Sequence, residues 1–172
     1  MSLATYAEAR PWAKAIKEEV LARRMPKWPV VRGYGDFTND PSLSAFEVAV
    51  MAAWADGGAP LGTPSSISSQ TPSSDRGRPR ARRVERPCSA NTLPPGRLVG
   101  LQPTLKKGES LRLTLVAPGR EEPLLWIRNY DPQFAETYWL RNPMPITRGS
   151  RFRGEAPDGC SLAILLEAGT GK

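Results

Sequence analysis

Between Leu61 and Arg97 the sequence offers a fold almost nothing to build on. The run TPSSISSQTPSS passes into DRGRPRARRVERP, where proline, serine, glycine and arginine leave no periodic apolar residues to bury. This stretch, 61–97, is predicted to be a disordered linker. It divides the 172 residues into a helical part, 1–60, and a strand-rich part, 98–172, so two modest cores are expected and not one large one. Eighteen prolines and fifteen glycines agree with a chain of many breaks.

Charge follows the same division. The formal net charge is +7, yet residues 1–60 carry seven Lys/Arg and seven Asp/Glu, whereas residues 75–97 carry seven arginines against Asp75 and Glu85. The excess therefore belongs to one short segment. Its functional reading is contact with phosphate or acidic lipid; its plain reading is a solvated, self-repelling linker. The lack of interleaved aromatic residues favours the second, and no nucleic-acid partner is expected. No apolar run reaches the roughly 18 residues of a membrane helix, and no secretory signal precedes the first helix, so a cytoplasmic chain without a membrane span is expected.

Before the linker, two capping boxes announce helices. Thr5 with Glu8 and Ser44 with Glu47 each pair a hydroxyl and a carboxylate with exposed first-turn amides. Pro11 either opens a second helical segment or kinks the first. Trp12, Ala13, Ile16, Val20 and Leu21 recur at helical spacing, leaving Lys14, Lys17, Glu18 and Arg24 for the wet face. The second helix, FEVAVMAAWAD, has so few polar residues that it should be covered on most sides, with Gly57 and Gly58 stopping it in the left-handed conformation.

After the linker the period changes. Strands are predicted at 98–101, 110–116, 124–128, 136–140, 150–153 and 161–166, each bounded by turn-formers. Leu111, Leu113 and Leu115 alternate with Arg112 and Thr114 as a half-buried strand requires. The expected fold class is thus α+β: a small helical module followed by an antiparallel β-sandwich. Trp126, Tyr130, Phe134, Tyr138 and Trp139 are read as sandwich core. The chain has no histidine, and Cys88 and Cys160 stand 72 positions apart, which excludes close-spaced metal, redox or haem-attachment pairs; a bridge between them is not expected.

The segments Arg23–Trp28 (RRMPKW), Gly33–Ser44 (GYGDFTNDPSLS) and Ala53–Pro60 (AWADGGAP), with RPWAKAIKEEV before them, resemble the later two-thirds of a c-type cytochrome domain of exported bacterial proteins. In such domains a Cys-x-x-Cys-His segment comes first and attaches haem c, while a methionine in a Met-Pro loop supplies the distal ligand. The resemblance makes Met25 that distal ligand and sets Trp54 against the macrocycle or a neighbouring helix. It implies a redox partner protein and a periplasmic setting. The Cys-x-x-Cys-His segment would have to precede Met1, so the chain as written is expected to hold no cofactor. Without the resemblance, Met25 is an ordinary flexible core filler.

More faintly, KGESLRLTLVAPGR, LLWIRNYDPQFAETYWL and PMPITRGSRF resemble the second jelly-roll domain of copper type II, ascorbate-dependent monooxygenases. That family holds copper through a His-x-His pair where this sequence has Pro103 and Leu105, so the resemblance implies a jelly-roll scaffold without its metal. Met144 is read as a loop residue. With no histidine base, no phosphate loop and no nucleophile elbow, no catalytic role is expected. The leading reading is a non-catalytic fragment of a c-type cytochrome-like electron-transfer protein, haem-binding only in a complete form. The alternative is a binding or structural module that recognises a protein or carbohydrate through the sandwich. Residues 1–60 are expected to be poorly ordered alone, and residues 98–172 to fold cooperatively.

Overall fold

A computed structural model describes residues 3–62, 80–90 and 92–168. The fold is α+β, and the chain divides into two compact units that are interleaved in sequence. One comprises Met1–Trp28 and Pro41–Ser74; the other comprises Pro29–Asp40 and Asp75–Lys172.

The helical unit contains α1 (Tyr6–Ala9), α2 (Ala13–Leu21) and α3 (Ala45–Asp56), with a 3₁₀ turn at Arg10–Trp12 that holds Pro11 between α1 and α2. Both capping boxes form. The Thr5 hydroxyl accepts from Glu8 N while Glu8 accepts from Thr5 N, and Ser44 and Glu47 exchange the same pair of bonds. Of the two glycines at the end of α3, Gly58 is left-handed with φ of 81°, as is Ala59 after it with φ of 51°, whereas Gly57 keeps φ at −74°. The apolar stripe on α2 is narrower than its spacing suggests. Ala13 and Val20 are buried, but Trp12 and Leu21 are about half exposed.

Among the described residues the second unit has seven antiparallel strands: β1 (Ala81–Pro87), β2 (Gly96–Thr104), β3 (Leu111–Ala117), β4 (Arg120–Ile127), β5 (Tyr138–Ile146), β6 (Arg151–Glu155) and β7 (Ser161–Glu167). They form one sheet in the order β1-β7-β2-β5 and another in the order β4-β3-β6. The fully buried side chains come from both sheets, among them Leu98, Leu101, Tyr138 and Ile164 from the first and Leu111, Leu113, Leu125 and Ile127 from the second. β2 and β7 are central strands, β7 buried along nearly its whole length and β2 from Leu98 to Leu101, which explains why these parts read as apolar runs and not as alternation.

Six strands overlap the predicted ones, with β2, β4 and β5 longer than predicted and β5 running on to Ile146, but β1 is not among them: it falls inside the segment read as a disordered linker. Its arginines occupy an edge strand, paired with β7 from Ala81↔Glu167 to Pro87↔Ser161. Edge strands tolerate such charge because one side of the ladder faces water. The rest of the linker prediction, over 63–79, lies outside the described residues. A second correction concerns the cysteines. Cys88 and Cys160 form a disulfide with Cα atoms 5.5 Å apart, because β1 ends where β7 begins and Cys88 N donates to Cys160 O.

Residues 29–40, which the sequence groups with the helices, belong to the strand unit. Val31 N donates to Trp126 O and Arg128 N to Pro29 O, so this segment pairs with the outer edge of β4. Further on, Thr38 N donates to Trp139 O and Arg141 N to Asp36 O, so it also covers the outer edge of β5. The Asn39 carboxamide completes the second edge, accepting from Trp139 N and donating to Thr137 O. One strap thus closes an edge of each sheet, and Phe37, 3% exposed, packs its ring 5.6 Å from that of Tyr138.

Candidate functional site

The helical unit carries an apolar cleft of about 590 Å³. Helix α2 contributes Ile16 and Val20; the loop after it contributes Met25 and Pro26; Leu43 and, from α3, Val50, Met51 and Trp54 close the other side. The Ser44 cap sets the start of α3, and the spacing of Val50, Met51 and Trp54 then puts all three on one side of the helix. Hydrogen bonds fix the frame. Trp54 Nε1 donates to Pro60 O at 3.0 Å, Tyr6 Oη to Ala59 O at 2.8 Å, and Arg23 Nη1 to Leu43 O at 2.6 Å. The indole N–H is thereby satisfied outside the cleft, leaving an apolar ring surface within it.

Among the described residues no charged side chain lines this cleft. Its size lies in the range of ligand pockets, roughly 300–1,000 Å³, and its chemistry suits an apolar ligand. Two carboxylates of the same unit are engaged in local hydrogen bonds. The backbone N–H of Ser44 holds the Glu47 carboxyl below its ordinary value, and the Arg24 guanidinium does the same to Glu19. Met25 and Trp54, singled out separately in the sequence, are both half-buried on its walls.

The expectation that α3 is covered on most sides is not met. Val48 is the one buried residue of the helix, while Phe46 is 77% and Val50 50% exposed. An apolar helix left this bare presents surface whose hydration disfavours the exposed state.

Set against the haem c that the sequence resemblance implies, the residues of this cleft do not make a complete ligand set. They supply apolar walls and a thioether, Met25. A proximal imidazole is missing because the sequence has no histidine, and the two cysteines are bonded to each other in the strand unit. Among the described residues no group of three or more His, Cys, Asp or Glu is placed to hold a metal ion.

In the strand unit, Pro103 is buried on β2 and Leu105 is 7% exposed; neither side chain can ligate copper. Met144, read as a loop residue, lies within β5 opposite Leu98. Of the five aromatics assigned to the core, only Tyr130 and Tyr138 are buried. Trp126 and Trp139 are half-buried, and Phe134 is 41% exposed. Trp139 is displaced from the interior because β5 turns Tyr138 inward, and consecutive strand residues face opposite sides. Its ring instead lies over Gly100, where an added Cβ would come within 3.2 Å of it.

Among the described residues no helix is long and apolar enough to cross a membrane. Comparison with protein-family models, with curated proteins and with solved structures finds no match to this chain.

Proposed function

We propose that the helical unit is part of a c-type cytochrome-like electron-transfer protein, a non-catalytic module that encloses haem c only in a form also carrying a Cys-x-x-Cys-His segment. In this reading it is fused to a metal-free β-sandwich of jelly-roll type. The observation that carries it is the cleft: Met25 and Trp54, the two residues the resemblance assigns to haem, line the same apolar space beside an uncovered apolar helix. Bound haem would supply one-electron transfer, with a redox protein as partner. The chain's own share is to keep water from one side of the ring and to present the Met25 thioether.

The disulfide supports an oxidising compartment, since buried cysteine pairs of this kind persist outside the cytosol. We therefore favour the exported setting over the cytoplasmic one. Mass determination of the N-terminus, with a visible spectrum and haem stain of protein from its native host, tests the reading. A longer, haem-stained chain whose reduced spectrum changes in a Met25→Ala variant is the expected result. A colourless chain that begins at Met1 would leave a haemless remnant and reject haem binding.

A further inference from the structure

One cluster on the strand unit is untouched by the haem reading. On the outer face of β3 and β4, Arg112 lies directly across from Trp126. Its guanidinium carbon sits 5.2 Å from the Trp126 ring centroid and 5.4 Å from that of Tyr34, and its Nε donates to the Tyr34 hydroxyl at 2.9 Å. Tyr34 meets Trp126 edge to face at 5.0 Å. A second guanidinium, that of Arg128, lies 5.9 Å from the same indole. Two exposed cations thus lie within cation–π distance of one tryptophan, and one of them is also hydrogen-bonded to Tyr34.

Several other arginines of these sheets are paired with acids. Arg120 pairs with Glu122, Arg153 with Glu121, Arg97 with Glu167 and Arg141 with Asp36. Among the described residues neither Arg112 nor Arg128 has a carboxylate partner. Glu155 stands opposite Arg112 on β6, yet the two aromatic rings hold the guanidinium toward the β4 side. A cation–π contact consumes no N–H group, so the guanidinium N–H edges are left open, with Arg112 giving up only Nε. Such edges take an oxyanion in forked geometry. A neutral sugar would need the aromatic face, which the guanidinium groups already cover.

We propose that this corner docks an acidic segment of a partner protein, with closely spaced Asp or Glu carboxylates taken by Arg112 and Arg128. A nucleic acid fits less well, because its continuous phosphate charge would meet Glu155 across β3 and Glu109 in the turn before it. The segment 29–40 builds the site as well as closing the sheet edges, since Tyr34 comes from it.

The test uses the full oxidised chain, a fluorescent peptide bearing two glutamates one residue apart, and a fluorescent oligodeoxynucleotide of similar length, read by anisotropy. The expected result is salt-sensitive peptide binding that weakens at least about tenfold in an Arg112→Gln/Arg128→Gln double variant and is unchanged in Arg148→Gln. The Arg112→Lys/Arg128→Lys variant, which keeps charge without the fork, should also bind more weakly while retaining the wild-type circular dichroism. Absence of peptide binding, full binding by the lysine variant, equal loss in Arg148→Gln, or tighter binding of the oligonucleotide would each overturn the proposal.

Discussion

At the residue scale, backbone geometry decides more than side-chain chemistry at two glycines. Gly154 in β6 has φ of 154°, and a Cβ there would sit 1.8 Å from Arg112 O, inside the β3–β6 ladder. Gly149, with φ of 87°, faces open space. Gly154→Ala should therefore cost about 3 kcal/mol, and Gly149→Ala only the left-handed penalty of about 1 kcal/mol, both read from denaturant midpoints. Tyr138 provides a pH signature. Burial, with Tyr130 and Glu136 nearby, pushes its hydroxyl well above the ordinary phenol value of 10.0. Above pH 10 the unfolded chain releases this proton while the folded one keeps it. Stability is thus complete below that pH and falls as pH rises, by about 1.4 kcal/mol per pH unit for one group. Denaturant midpoints between pH 8 and 11 should show this slope, reduced in Tyr138→Phe. The Arg112–Trp126–Tyr34 cluster was illegible at this scale: the sequence shows Arg112 only as the polar beat between leucines, and nothing in it announces that Tyr34 lies beside Arg112.

At the element scale, local interactions were the readable ones. Both capping boxes bond residues three apart, so their partners are visible in the sequence whatever the rest of the chain does. Six strands were legible because turn residues bound them. β1 was not, since an edge strand needs little apolar content and ARRVERP has almost none. Its neighbour β7 gives it a ladder along one edge only, and the disulfide fastens its end. The bridge spans 72 positions, for which loop-closure entropy gives about 4 kcal/mol. Paired Cys88→Ser and Cys160→Ser substitutions should lower stability by about that amount. Hydrogen exchange should show the β1 amides losing protection before those of β2 and β7. Equal loss across the whole sheet would contradict a fastening role.

At the scale of the whole molecule, the chain visits the helical unit, crosses to the strand unit for residues 29–40, returns for α3, and leaves again for the seven strands. A cut near residue 98 therefore removes β1, Cys88 and the strap that covers the edges of β4 and β5. Residues 98–172 alone should not unfold as cooperatively as the strand unit of the full chain, contrary to what the sequence suggests. Adding 80–97 should restore the disulfide but not the protection of the β5 amides that residues 36–39 cover, which calorimetry and hydrogen exchange of the two fragments would check. What depends on neighbours along the chain is legible before any fold is known: the capped helices, most strands, the α+β class, and the lack of an imidazole. Which distant residues meet is set by the assembled fold: the disulfide, the strap, the cleft shared by Met25 and Trp54, and the two arginines beside Trp126. Each of these contacts joins residues brought together only when loop closure is offset by burial elsewhere, and that balance is a property of the assembled fold, leaving no mark in any local stretch of sequence.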